Sequence, residues 1–264
     1  MFTDKEARIV KKTLQNDFAA LTMESPAIAP HCFPGQFLMV RVLPQQYPLL
    51  RRPLSIHDRI QSRLSLFFKI TGEGTALLAR KNEGDTVDIL GPLGRGFTFD
   101  RNFKAKPVYV VGGGRGIAPL YFLAGELKKR RVHVRIFYGG KNSKELPLLA
   151  KMRSEGFNLD CSTEDGSYGI QGMVTDLLKK SFKSELPAFL YACGPEAMMK
   201  NVYILASEHG VSSEFSLESI MGCGIGACWG CVKRIRKDGI GTWVKICEDG
   251  PVFPGQDIIW EKND

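Results

Sequence analysis

Histidine is scarce in this chain, with 4 among 264 residues. That argues against histidine-based triads and dyads and against His-rich metal sites. His31, His57, His133 and His209 read as structural or surface residues. Long apolar runs are missing too. The longest stretches, such as Leu64–Phe68 and Ala188–Cys193, are strand-length, far short of the roughly 18 residues of a membrane span. The first six residues are charged and lack an apolar core, so no secretory signal is expected and the chain reads as cytoplasmic. No internal repeat or low-complexity segment is visible. The net charge of +8 comes from scattered basic residues. The densest run, Lys128–Arg131, closes a helical pattern, where cations complement the helix C-terminus. Neither nucleic acid nor membrane is therefore an expected partner.

The chain is 44% hydrophobic and 24% charged, ordinary for a folded globular protein, and long enough for two or three units. A multidomain fold is expected. Residues 1–101 read as short strands between Gly and Pro turns, which predicts a small antiparallel β-barrel. The clearest strands are 37–42, 64–70 and 86–90, with turns at Pro34-Gly35 and Gly91–Gly94. Residues 102–217 alternate strand and helix, which predicts an α/β domain with a parallel sheet. Strands are expected at 107–111, 132–138 and 188–193, and helices at 118–129, 145–154, 171–180 and 196–208. Residues 218–264 are dense in cysteine and glycine and too few to build much core alone, so an inorganic group is expected to hold that piece together.

Seven cysteines, an odd number in a chain that reads as cytoplasmic, fit ligation better than a disulfide framework. Cys223, Cys228, Cys231 and Cys247 are spaced C-x4-C-x2-C-x15-C, which matches the plant-type [2Fe-2S] pattern. Small residues around them, Gly222, Gly224, Gly226, Ala227 and Gly230, let the backbone curl so that N–H groups face the sulfurs. The alternatives are a zinc knot, which usually wants paired C-x2-C units where only one is present, and buried unligated cysteine, which four of seven cysteines at this spacing in a glycine-rich loop argue against. Cys32 and Cys161 have no comparable neighbours and read as packing residues.

Arg52-Pro53-Leu54-Ser55 combines an arginine fork, an extended proline step and a hydroxyl, a set that can contact a flavin and its pyrophosphate. Gly74 and Thr75 open a short helix after a strand and can add phosphate donors there. Gly112, Gly113, Gly114 and Gly116 lie between a strand and a helix, the right context for a dinucleotide, though not in the usual G-x-G-x-x-G form. Cys193-Gly194-Pro195 ends a later strand of the same sheet and is placed to touch a nicotinamide or to make a sharp turn.

Taken together these segments resemble the electron-transfer subunits of class 1B, NAD-dependent dihydroorotate dehydrogenase, in the ferredoxin reductase-like superfamily. The resemblance runs from about Lys5 to Asp257. It is carried by Leu50–Ile56, Leu90–Gly94 with Gly96-Phe97, Gly112–Leu120, Thr163–Gly169 and Glu218–Cys231. It implies that 1–101 binds FAD, 102–217 binds NAD(H) and 218–264 is a ferredoxin-like [2Fe-2S] domain. It implies FAD contacts at Arg52–Ser55, at Phe67, Phe68 and Lys69, and at Gly74-Thr75, with the four cysteines as cluster ligands. It further implies a separate FMN-containing catalytic subunit that oxidises dihydroorotate in pyrimidine biosynthesis, in a heterotetramer of two of each. Arg115 departs from the pattern, in which an apolar residue is expected. A guanidinium there can reach a phosphate or crowd the turn. Two readings stand beside this one: a subunit of a ferredoxin-dependent NAD(P) oxidoreductase or sulfide dehydrogenase-like enzyme, and a zinc-stabilised binding module without redox chemistry.

Overall fold

A computed structural model describes residues 1–43, 47–103 and 106–260. Two compact units emerge. The first comprises Met1–Phe97, Glu218–Lys233 and Lys245–Pro251. The second comprises Thr98–Leu217, Arg234–Val244 and the chain from Val252 onward. The cysteine-rich C-terminal segment is thus shared between them.

The first unit contains β1 (Phe2–Gln15), β2 (Phe18–Glu24), β3 (Phe37–Arg41), β4 (Arg52–Ile60), β5 (Arg63–Lys69), helix α1 (Glu73–Arg80) and β6 (Thr86–Leu93). The strands close into a six-stranded barrel in the order β1-β2-β5-β4-β3-β6, all neighbours antiparallel. Burial alternates strictly along Thr86–Leu93, as a strand with one face on a core requires. Ile9, Leu21, Met23, Leu38, Val40, Leu66 and Ile89 fill the interior and are fully buried, each worth about 1.5–3 kcal/mol over exposure.

The second unit begins with β7 (Val108–Gly113), α2 (Ile117–Lys129), β8 (Val134–Gly140), α3 (Leu149–Ser154) and β9 (Asn158–Thr163). It continues with β10 (Ile170–Gln171), α4 (Val174–Ser184), β11 (Phe189–Cys193), α5 (Glu196–Glu208) and β12 (Ser213–Ser216). After the hairpin of β13 (Val232–Lys237) and β14 (Ile240–Lys245), and a short helix α6 (Ile246–Asp249), comes β15 (Val252–Pro254). The sheet order is β10-β9-β8-β7-β11-β12-β15, parallel except for the last strand. β7 and β11 are buried along their whole length. Helices cover both faces of such a sheet, which is why these strands read as continuous apolar runs.

Several elements differ from the sequence expectation for local reasons. The helix expected at 145–154 is a 3₁₀ turn at Ser143–Glu145 and a shorter helix at Leu149–Ser154. Pro147 lies between them and keeps Leu146 out of helical geometry, at φ −114° and ψ 48°. The helix expected from Gln171 starts at Val174, because Ile170-Gln171 pairs with β9 and Gly172 turns at φ +127°. Asp176 then caps it, accepting the Met173 N–H at 3.1 Å. The hairpin of β13 and β14 turns on Asp238-Gly239, both at positive φ, a strong hairpin signal the sequence reading passed over.

Candidate functional site

In the first unit, the two segments assigned to a flavin meet. The Arg52 side chain lies across the start of α1, so closely that a Cβ on Gly74 would fall 2.3 Å from Arg52 Nε. One Arg52 nitrogen donates to the Leu50 carbonyl. Its neighbour Arg51 is committed to the barrel, donating to Asp88 Oδ2 at 2.8 Å and to the Asp88 and Met39 carbonyls. Nothing in the Arg51-Arg52 pair itself distinguishes these two roles. Thr75 Oγ1 donates to the Gly72 carbonyl at 2.9 Å and accepts the N–H groups of Thr71 and Gly72. Its hydroxyl proton therefore ties down the helix start. The free donors are the first backbone N–H groups of α1, beside a guanidinium, a combination suited to a pyrophosphate. Arg52, Pro53, Leu54 and Ser55 are all half-buried, a run left partly open along one strand. Phe67 and Phe68 are both buried. Phe67 stacks on Phe18 at 5.4 Å and tilts against the buried His57 at 5.3 Å. A cofactor can meet this segment only through its backbone and through half-buried Lys69.

In the second unit, the glycine loop and Cys193-Gly194-Pro195 lie side by side at the carboxyl ends of β7 and β11, with Gly112 opposite Cys193 in register. A Cβ at Gly116 would sit 2.2 Å from the Cys193 carbonyl oxygen, and one at Gly113 would sit 2.6 Å from Met198 Sδ. These glycines are required by the contact between the two turns. Gly114, at φ +51°, is the partly open member. Arg115 is exposed and so does not crowd the turn. The carboxyl ends of parallel strands are where dinucleotides bind. A cleft of about 500 Å³, lined by Arg101, Phe103, Lys106, Phe189 and His209 among others, lies at the opposite end of β7, β11 and β12 and is not that site.

The four cysteines all belong to the first unit. Cys223 neighbours Cys228, and Cys231 neighbours Cys247, each close enough to share a side-chain hydrogen bond. Backbone N–H groups surround them. Ile225 and Cys228 donate to Cys223 Sγ at 3.4 Å, Gly226 to Cys247 Sγ at 3.2 Å, Gly230 to Cys228 Sγ and Cys247 to Cys231 Sγ at 3.4 Å. Donors aimed at sulfur stabilise thiolate. Burial works to raise the Cys223 pKa, but the Ile225 and Cys228 N–H groups outweigh it and bring the thiol down to about 7. Burial, reinforced by the bond shared with Cys231, raises Cys247 to about 12. Among the described residues, no three His, Cys, Asp or Glu side chains converge as a single ion requires. Two adjoining pairs of cysteines are a donor set suited to a binuclear cluster, in which each iron takes two thiolates. The loop rests on the barrel: at Gly224, φ +74°, a Cβ would collide with Met39 of β3 at 2.4 Å. Met39 pairs across the ladder with Pro53 of the flavin-type motif. Cys228 is exposed, and so are Ile220, Ile225 and Trp229 of the same segment. Sequence reasoning missed Met39, for which no local signal exists. It also missed Lys245, two residues before Cys247. Cys32 and Cys161 are buried, and burial pushes their thiols up to about 12 and about 11.

A closed flavin-type barrel, a sheet of parallel nucleotide-type strands and four clustered cysteines on one chain define an oxidoreductase of the ferredoxin-reductase type. A family model for the iron–sulfur cluster binding domain of dihydroorotate dehydrogenase B matches residues 218–259, and one for an oxidoreductase NAD-binding domain matches 110–203. The electron transfer subunit of dihydroorotate dehydrogenase B (NAD(+)) from Desulforamulus reducens is 38% identical over 91% of this chain and 92% of its own length. The same subunit from Caldanaerobacter subterraneus is 34% identical over 97% and 98%. The chain belongs to this family of electron transfer subunits. Among solved structures, an NADH-dependent reduced ferredoxin–NADP oxidoreductase superposes with a TM-score of 0.83 at 31% identity, covering 98% of this chain and 92% of that one. No helix among the described residues is long and apolar enough to cross a membrane.

Proposed function

We propose that this chain is the electron-transfer subunit of an NAD-dependent dihydroorotate dehydrogenase. It is an oxidoreductase subunit that binds FAD, a [2Fe-2S] cluster and NAD(H), and passes electrons between a catalytic subunit and the nicotinamide. The observation that carries this reading is the seat of the cysteine loop: Gly224 packs on Met39, and Met39 is paired with Pro53. The thiolate loop therefore lies one strand away from the flavin motif.

The chain's own work is positioning. Arg52 and the N–H groups of α1 hold a pyrophosphate. Half-buried Pro53 and Leu54 offer an apolar edge beside it. The turns at Gly114 and Cys193–Pro195 would receive the nicotinamide dinucleotide, and Cys223, Cys228, Cys231 and Cys247 would hold the cluster. Bound flavin supplies the conversion between two-electron hydride transfer and one-electron steps, and no side-chain proton donor is needed. We assign FAD to residues 1–101, NAD(H) to 102–217 and the cluster to 218–264. The partner is an FMN-bearing subunit that oxidises dihydroorotate, in a complex of two of each. The exposed apolar side chains of Ile220, Ile225 and Trp229, in the same segment as exposed Cys228, support docking there.

The test is reconstitution. Protein purified without oxygen is mixed with the FMN subunit of the same organism, and dihydroorotate-dependent NAD reduction is followed. Reduction that needs both subunits supports the reading. Reduction of NAD(P) by ferredoxin, with none by dihydroorotate, would favour the ferredoxin–NADP oxidoreductase reading instead. A colourless protein holding stoichiometric zinc would remove both.

A further inference from the structure

Lys245 ends β14 and leads into the helix that carries Cys247. Its side chain is only 19% exposed, unusual for lysine. Three groups hold it. Its Nζ donates to the Gly226 carbonyl at 3.1 Å, pairs with the Glu248 carboxylate and lies 5.1 Å from the centre of the Trp229 ring. Trp229, between Cys228 and Gly230, has φ +56°, a costly conformation for a bulky residue that persists only where the surroundings impose it. Gly226 has φ +79°, and a Cβ there would meet Glu248 Oε2 at 2.5 Å. The Lys245–Glu248 pair therefore sits directly on the peptide between Gly226 and Ala227.

That peptide has two ends. Its carbonyl accepts from Lys245. Its N–H belongs to Ala227 and is turned toward Cys223, between the Gly226 N–H, which donates to Cys247 Sγ at 3.2 Å, and the Cys228 N–H, which donates to Cys223 Sγ at 3.4 Å. In a trans peptide the two point in opposite directions, so fixing one aims the other. We propose that Lys245 is a positioning residue of the iron–sulfur centre, which holds the Gly226–Ala227 peptide so that its N–H faces Cys223 and which places a fixed positive charge beside the loop. This rests on the reading that the four cysteines hold a [2Fe-2S] cluster.

The sign follows from charge. Reduction adds one negative charge to the centre. A nearby cation and N–H donors to sulfur stabilise the reduced form and raise the potential. A cation on the carbonyl also strengthens the N–H bond across the same peptide. Removing the ammonium therefore lowers the potential, and removing the opposing Glu248 carboxylate raises it.

The experiment is a redox titration of the holoprotein, following the cluster by its EPR signal and the flavin by absorbance, with iron per chain measured on the same samples. Lys245→Met is expected to lower the reduced-to-oxidised ratio of the cluster about tenfold at a fixed ambient potential, a downward shift of about 59 mV for one electron. The flavin midpoint stays in place and Lys245→Arg recovers most of the shift. Glu248→Gln, which keeps the lysine, shifts the cluster the other way. A residue that merely stabilised the loop would reduce iron occupancy and leave the midpoint of the loaded fraction unmoved, and that result overturns the proposal. If Lys245→Met loads no iron, Glu248→Gln decides, since an unchanged or lowered cluster midpoint there also overturns it. A wild-type protein with no [2Fe-2S] signal sinks the underlying cluster reading and is distinguishable from both.

Discussion

Adding one methyl group at Gly74 should separate the two halves of the proposed anion site without removing either. The new Cβ would lie 2.3 Å from Arg52 Nε and 2.8 Å from Cζ and Nη2. The guanidinium must swing away, because contacts this short do not occur in real proteins, and it is the flexible partner. The bond proposed between it and a cofactor phosphate should be lost or lengthened. A hydrogen bond to a charged group contributes about 1.5–3 kcal/mol, so FAD should bind about 10- to 150-fold more weakly in Gly74→Ala. The helix itself should not lose, since alanine is a better helix former than glycine and Gly74 lies in its first turn. Weaker binding without lower stability separates lost binding from lost folding. Arg52→Met should weaken FAD by a similar factor. The double variant should be little worse than Arg52→Met alone, because both changes act on one contact. Flavin fluorescence titration of deflavinated protein gives the affinities, and thermal unfolding of the same samples gives the stability. Wild-type affinity in Gly74→Ala, or fully additive losses in the double variant, would refute the assignment of Arg52 to the pyrophosphate.

Cys228→Ser should remove the cluster signal while flavin stays bound and NADH-to-dye activity persists, with dihydroorotate-linked NAD reduction abolished; equal loss of both activities would count against a separate cluster loop. Gly116→Ala places a Cβ against the Cys193 carbonyl, where backbone must yield on both sides. A loss of about 1–3 kcal/mol is expected, read as a lower melting temperature and weaker NADH binding. At pH 8 the thiols of Cys32 and Cys161, pushed up by burial to about 12 and about 11, remain protonated. Iodoacetamide at that pH should label neither in the folded holoprotein, and mass spectrometry of the digest checks this.

Much of the architecture was legible because the local signals agreed with one another. The run at Phe189–Cys193 is buried on both faces, and a strand so buried is apolar throughout. The helix at Glu196–Glu208 carries a regular pattern with proline before it, and its observed bounds match the expected ones. Where reading failed, a single residue overrode the pattern, as Pro147 did in splitting the expected helix at 145–154 and Gly172 in delaying the next. The four cysteines stand out in the sequence for a different reason. Iron demands thiolates, and a short loop that wraps a cluster leaves its spacing in the chain. The flavin motif was half legible. Two adjacent arginines look alike in sequence, yet Arg51 is spent on Asp88 and only Arg52 reaches α1.

The sequence by itself determined the kinds of chemistry present: thiolates at a cluster spacing, a glycine loop between strand and helix, and an arginine and a helix start with phosphate donors. These depend on residue type and near neighbours, which a linear chain records. Tertiary structure decided which groups meet. Residues 52 and 74 come together only because barrel strands close around them. The cysteine loop lies by Pro53 only because Gly224 fits against Met39. Lys245 acquires its role only when the chain returns to bring it under Gly226. Contacts between residues far apart in the chain are set by packing and close approach, and those have no local signature.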